Sequence, residues 1–364
     1  DVEPNTIAQA QQAASLPFIA GHVALMPDAH IGMGATIGSV IPTQGAIIPS
    51  AIGVDIGCGM IAVQTDLRAE QMPDSLDRLL SEFGRSIPAG VGQGHGTARD
   101  IATPDHFTQK QRATAENQYG SLGSGNHFVE VCLDEAECVW VVLHSGSRGI
   151  GNQLAKQHID GAKALMKRYF ITLEDPDLAY LVEGSYEFGA YIADMLWAQE
   201  YALGNRAAMM DAALNQLFRF VGHGTETLRI NCHHNFTQME NHHGRNVWLT
   251  RKGAIKAGVD DLGVIPGSMG TRSYIVRGKG NPASYNSCSH GAGRRMSRSA
   301  ARKTLTTESL VEAMAGKTWN ADHAKELLDE HPQSYKDIDR VMADQSDLVE
   351  VLHTLRQILN YKGS

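Results

Sequence analysis

The segment NSCSHGAGRRMSR, Asn286 to Arg298, sets one imidazole, His290, between a cysteine/serine step and a Gly-Ala-Gly turn, with three arginines following at once. Two readings compete for it. One is a solvated turn leading into a basic helix face. The other is a phosphate-handling site in which His290 itself reacts. A second group of residues bears on the choice. GVDIGCGM, Gly53 to Met60, spaces Asp55 and Cys58 three apart among glycines, so a carboxylate and a thiolate can turn toward one point. Alone, that pattern also suits a buried structural cysteine.

Three more segments carry imidazoles after strand-like runs or in polar turns: GSGNHF with His127, LHSGSRG with His144, and NCHHNF with His233 and His234. Taken together with Asp55 and Cys58, they can form a dinuclear metal site in which Cys58 bridges two ions. Thiolate and imidazole favour zinc, whereas a carboxylate beside positions open to phosphate oxygens suits manganese, and spacing leaves both open. PGSMGTRS, Pro266 to Ser273, adds two serine hydroxyls, Ser268 and Ser273, and backbone amides that can cradle a phosphate or a nucleobase edge. The chain has no Walker A loop. GSRGIG, Gly146 to Gly151, is not the dinucleotide-binding fingerprint, but its Arg148 can grip a phosphate as a two-pronged fork.

The elements that must position these residues are legible in outline. VWVVLH (Val139–His144) and SYIVRG (Ser273–Gly278) read as strands. Helical periodicity covers Gln153–Phe170, Ala190–Phe220, Leu305–Ala315 and Asp337–Leu359. Val91–Phe107 is polar and weakly patterned, a mobile surface loop in which His95 and His106 need no special role. Short strands followed by glycine-rich loops predict an α+β (mixed α/β) fold whose loops converge on one site. No repeat, low-complexity tract or linker divides the 364 residues, which predicts a single compact domain over 1–364.

A net charge of −8 excludes a general nucleic-acid binder, yet Arg294, Arg295, Arg298, Arg302 and Lys303 form a local cluster able to hold a polyanion. No apolar run reaches the ~20 residues needed to span a bilayer, and no signal-peptide pattern is seen. Five scattered cysteines argue against a disulfide framework and for a reducing cytoplasm.

MPDAHIGMGATIGSVIP, GVDIGCGM, GSGNHFVEV, LHSGSRGIG, INCHHNF, GVIPGSMGTRSYIVRG, SCSHGAGRRMSR and SYKDIDRVM occur in one order from about Leu16 to the last residues. This ordered set resembles the RtcB-type RNA-splicing ligases, the bacterial members in particular. The resemblance implies two Mn²⁺ ions: one on Asp55, Cys58 and His127, the other on Cys58, His144 and His234. It implies that His290 attacks GTP and becomes guanylylated, with the amides of Gly291, Ala292 and Gly293 at the phosphate. Guanine and ribose contacts fall on Asn126, Phe128, Glu130, Ser268, Ser273, Tyr335 and Lys362, and Arg148 falls on an RNA-phosphate position. The implied partner is RNA carrying a 3′-phosphate or 2′,3′-cyclic phosphate end and a 5′-hydroxyl end, joined in tRNA splicing or RNA repair. Any activating protein stays unnamed. The chain departs from the family around Gln93–Gln118, which is short, at its N-terminus, which lacks some opening residues, and at Ala313–Pro332, which matches loosely. Two rival functions use parts of the same residues. A metal-dependent phosphoesterase would need the metal ligands but not His290, and a non-catalytic RNA-binding protein would tolerate loss of Cys58.

Overall fold

The computed structural model describes residues 2–363. Its centre is an eight-stranded sheet. Seven strands run in the order Leu262–Pro266, Ser273–Gly278, Val349–Lys362, Phe128–Leu133, Cys138–Ser145, Gly59–Arg68 and Glu226–His233, all antiparallel, and Thr318–Trp319 joins Val349–Lys362 in parallel. The central strands read as unbroken apolar runs because both faces are covered. Ile61, Val63, Val129, Val131, Val141 and Leu143 pack on one face against Met209, Ala213 and Leu217 of the helix Tyr186–Val221. Their neighbours in sequence, Met60, Ala62, Cys132, Trp140 and Val142, fill the other face with Ile230, Val264 and Leu355. That alternation is the two-residue period of a strand.

Ser185 caps the 36-residue helix by accepting from Phe188 N, and Gly222 ends it in the left-handed conformation at φ 97°. A second helix, Arg148–Arg168, packs beside it over Leu154, Ala162, Tyr191 and Met195. A four-stranded sheet, ordered Ala24–His30, Ile37–Thr43, Arg245–Lys252 and Asn235–His242, stands next to the main one. A short ribbon pairs Ala254–Lys256 with Ser287–Ser289 and delivers the chain to His290.

The mixed α/β architecture agrees with the sequence reading, and so do the strands at 139–144 and 273–278 and the helices at 153–170 and 190–220. Two elements differ. Leu305–Ala315 is helical only over Thr307–Ala313, where Thr306 accepts from Ser309 N as the cap. Asp337–Leu359 is helical only over Ile338–Ala343, and from Val349 the chain is a strand. Apolar residues at Leu352, Leu355 and Leu359 imitate a helical stripe. Partners on both sides, Ser273–Gly278 and Phe128–Leu133, instead satisfy the backbone in extended form. Val91–Phe107 has no helix or strand. Its two histidines are nonetheless engaged: His95 Nε2 with the Gly120 carbonyl at 2.9 Å, and His106 Nε2 with Asp194 at 2.7 Å. No helix among the described residues is long and apolar enough to cross a membrane.

Candidate active site and metal centre

Strand register gathers the histidines. Phe128 pairs with His144, His144 with Met60, and Gly59 with His233, across four adjacent strands. His127, His144, Cys58 and His234 therefore sit at the same edge of the sheet, each within one residue of a strand end. Cys58 Sγ lies 3.5 Å from His127 Nε2 and 3.3 Å from His144 Nε2. His144 Nε2 is 3.3 Å from His234 Nε2, and Asp55 Oδ2 is 3.2 Å from His127 Nε2.

The outer ring nitrogens decide what this cluster can hold. His127 Nδ1 donates to the Leu122 carbonyl at 2.9 Å, and His144 Nδ1 donates to the Asn126 carbonyl at 3.1 Å. Each ring is thereby fixed in the tautomer that turns its Nε2 lone pair toward Cys58. Burial, then His127, pushes His144 well below the usual imidazole range, and burial, then His290, does the same to His234. Burial and the Asp55 charge push the Cys58 thiol well up. Neutral bases thus converge on one sulfur with too few protons to join them, while His234 Nδ1 is buried without a partner. A bound cation resolves that surplus of lone pairs. Cations bound there would draw on Cys58 as thiolate, the three Nε2 atoms and the Asp55 carboxylate. His233 is turned away: its Nδ1 faces the Gly57 carbonyl at 2.8 Å and the buried Arg206. Arg206 also donates to the Gly57 and Ser145 carbonyls, so one guanidinium braces two of the strand ends that carry ligands.

His290 stands beside this cluster, its ring 4.8 Å from that of His234 between centroids. The fully buried Asp28 accepts from His290 Nδ1 at 2.7 Å and from His290 N at 3.1 Å. With Nδ1 engaged by Asp28, Nε2 is the ring nitrogen left for a ligand in the cavity that His290 lines. Gly293, at φ 71°, is required here, because a Cβ would come within 2.2 Å of the Asp28 carbonyl oxygen. Sequence reasoning missed Asp28, which lies 262 residues from His290. Its one signal was a place in the MPDAH segment.

A cavity of about 420 Å³ joins the cluster to His290 and to most of the remaining expected residues: Asn126, Phe128, Glu130, Ser268, Gly291, Ala292, Gly293, Tyr335 and Lys362. Two do not line it. Ser273 is fully buried in its strand, and its hydroxyl has no hydrogen-bond partner. Arg148 donates instead to Ser121 Oγ and to the Gly90 and Gln93 carbonyls. Glu330, unremarked in the sequence, is a hub of one end of the cavity: Tyr335 donates to it at 2.8 Å and Lys362 lies 3.3 Å away. Burial opposes its ionisation, but Lys362, Arg298 and Arg294 hold it well below the usual carboxylate range.

Glu130 has the opposite balance. Burial raises its pKa from 4.5 to about 8 against the pull of Lys362 and of Asn360, which donates to it at 2.6 Å. The folded protein therefore keeps a proton there that the unfolded chain has released. This group's contribution to stability is full below about pH 4.5, is lost as pH rises to about 8, and is flat beyond. In Glu130→Gln that slope, up to ~4 kcal/mol, is expected to vanish. Denaturant unfolding of both proteins between pH 5 and 8.5 measures it, and equal pH dependence would refute the assignment.

A model of the family described as tRNA-splicing ligase RtcB matches residues 9–103 and 95–363, a match in two parts that meet where the chain was read as short. The RNA-splicing ligase RtcB of Escherichia coli strain K12 is 46% identical over 390 residues, covering 100% of this chain and 95% of the relative. The Mycobacterium tuberculosis RNA-splicing ligase RtcB is 31% identical over 433 residues, with 98% of this chain and 100% of the relative covered. The tRNA-splicing ligase RtcB of Nanoarchaeum equitans is 28% identical over 443 residues, covering 99% and 92%. Similarity of that extent, over a chain whose cysteine- and histidine-bearing strand ends meet beside a carboxylate-held histidine, has one consequence: this protein belongs to the RtcB family and is an RNA ligase.

Proposed function

We propose that the protein joins an RNA 3′-phosphate or 2′,3′-cyclic phosphate end to a 5′-hydroxyl end, using GTP and two Mn²⁺ ions, through a guanylylated His290. The observation that carries this reading is the Asp28–His290 pair, which aims Nε2 into the cavity beside the metal-ligand cluster. Asp55, Cys58 and His127 would hold one ion, and Cys58, His144 and His234 the other. Bound there, the ions withdraw charge from phosphate oxygens as bonds to phosphorus form and break.

This chain's own residues do the rest. His290 Nε2 forms a bond to the α-phosphorus of GTP as the bond to the bridging oxygen breaks and pyrophosphate leaves. Asp28 keeps Nδ1–H in place and offsets the positive charge that the ring acquires. The amides of Gly291, Ala292 and Gly293 support the crowded phosphorus. An oxygen of the RNA 3′-phosphate then attacks the same phosphorus and releases His290, leaving RNA capped by GMP. The 5′-hydroxyl loses its proton, attacks the 3′-phosphorus, and expels GMP. A cyclic end is first opened by water to the 3′-phosphate. Asn126, Phe128, Ser268, Ser273, Tyr335 and Lys362 are assigned to guanine and ribose, and Arg148 to the RNA backbone. tRNA splicing or RNA repair is the setting, and the cytoplasm its place.

Incubation with Mn²⁺ and α-labelled GTP, followed by denaturation, should leave label on His290. Glu130 is assigned to the guanine edge: once guanine binding releases the proton that burial holds there, the carboxylate accepts the guanine N–H groups, whose counterpart on adenine is a ring-nitrogen acceptor. GTP should therefore label the protein at least ~100-fold better than ATP, as expected of a site built to pair with polar groups. Equal labelling by ATP would sink the nucleotide assignment. A phosphoesterase using the metal cluster alone would form no adduct.

A further inference from the structure

Five lysines and arginines line the cavity: Lys163, Lys252, Arg294, Arg298 and Lys362. Four are already matched to carboxylates. Lys163 pairs with Asp177, and Arg294, Arg298 and Lys362 all lie within 3.5 Å of Glu330. Lys252 is different. It is 5% exposed, and its Nζ donates to two backbone carbonyls, those of Met33 and Ser50. No ion pair to a carboxylate is formed by it among the described residues. An ammonium has three N–H donors, so one remains for the cavity that Lys252 lines. A buried cation without a counter-charge is costly, and its desolvated field strongly favours an anion.

Its position ties it to both halves of the chemistry. Lys252 pairs in register with Asn235, the residue after His234. Asn235 Oδ1 accepts from Gly253 N at 2.8 Å. Gly253, at φ 62°, passes so close to the nucleophile that a Cβ would stand 3.0 Å from His290 Cε1. On its other side the Lys252 chain runs beside Gly53, two residues before Asp55. At the other end of the cavity Arg294, Arg298 and Lys362 share the single carboxylate of Glu330, whereas no carboxylate is in contact with Lys252 among the described residues.

We propose that Lys252 holds the terminal 3′-phosphate of the RNA, positioning its oxygen for the guanylyl group on His290. The proposal rests on the ligase chemistry above and adds the place of the second substrate. A phosphomonoester at a strand end carries up to two negative charges, whereas the internal diester carries one. A lone buried ammonium therefore discriminates a 3′-phosphate end from a 3′-hydroxyl end. Two carboxylates act on Lys252 from a distance, Asp177, which is paired with Lys163, and Asp175; neither is in contact with its Nζ.

The test compares binding of two short RNAs, identical but for a 3′-phosphate or a 3′-hydroxyl, with Mn²⁺ present in every arm. Wild-type protein should prefer the phosphorylated end by ~10-fold or more, the range of one charge-assisted contact. Lys252→Gln keeps an amide donor for the Met33 and Ser50 carbonyls but removes the charge, and should bring the ratio below ~3-fold. Lys252→Arg restores charge and should recover part of the preference. Thermal melts check that both variants are folded. An unchanged ratio in Lys252→Gln overturns the proposal, and so does equal loss in both variants, which would mark the lysine as structural. Label on wild-type His290 from GTP together with either outcome would refute the role of Lys252 alone. Absence of that label in the wild type would refute the ligase chemistry itself.

Discussion

Replacing His290 with alanine should abolish covalent labelling by GTP and stop sealing of 3′-phosphate ends, a loss of ~10³-fold or more, as for removal of any nucleophile. The variant keeps Asp28, the glycine turn, the metal ligands and the nucleotide end of the cavity. GTP should still bind. The decisive arm supplies RNA already capped at its 3′ end by GMP. That substrate bypasses the step assigned to His290, and closing the strand needs only an activated phosphate, a positioned hydroxyl and charge stabilisation. His290→Ala should therefore join capped RNA to a 5′-hydroxyl end when metal is present. A labelled adduct in the variant would show that the nucleophile is another residue. No adduct together with failure on capped RNA would assign His290 to structure or to metal binding.

Cys58→Ser should fail almost as completely. The sulfur lies within 3.5 Å of two histidine Nε2 atoms and is buried. As thiolate it can share its charge between two cations, whereas a serine hydroxyl in the same place stays protonated. Guanylylation should fall by more than ~100-fold, beyond the effect of disturbing an outer partner of a ligand. Metal content, measured on protein freed of loosely held ions, should fall with it. Cys138→Ala is the control. Cys138 opens the same strand that ends at His144 and Ser145, a full strand length from the cluster. It should alter neither quantity. Retained activity and metal in Cys58→Ser would reduce the cysteine to a packing residue.

Much of the site was legible residue by residue, and the reason is chemical. Histidines and cysteines at strand ends, beside glycines that let a ligand approach, announce themselves by type. The choice of His234 over His233 rested in the sequence on resemblance alone; in the structure His233 faces the Gly57 carbonyl and Arg206, while His234 Nε2 lies 3.3 Å from His144 Nε2. Asp28 and Glu330 were illegible as parts of the site. Each acts on a residue remote in the chain or on several at once, and aspartates or glutamates are common on any surface. The helical pattern from Asp337 to Leu359 misled because leucines three and four apart suit either element until neighbours are known. Ser273 and Arg148 carried motif signals, yet the fold buries one hydroxyl and engages most of the other's guanidinium.

By itself the sequence determined the donor set, the glycine-rich turns, the unbroken apolar runs of the central strands and the order of motifs that carries family membership. Those properties are local, since residue type sets what an atom can ligate and side-chain period sets which face is buried. Only the tertiary structure decided direction and protonation. Antiparallel register brings Cys58, His127, His144 and His234 to one sheet edge. Carbonyls of Leu122 and Asn126 choose which nitrogen of each ring stays bare, and Asp28 does the same for His290. A lone pair points where its ring is held, and the groups that hold these rings come from other turns and other strands.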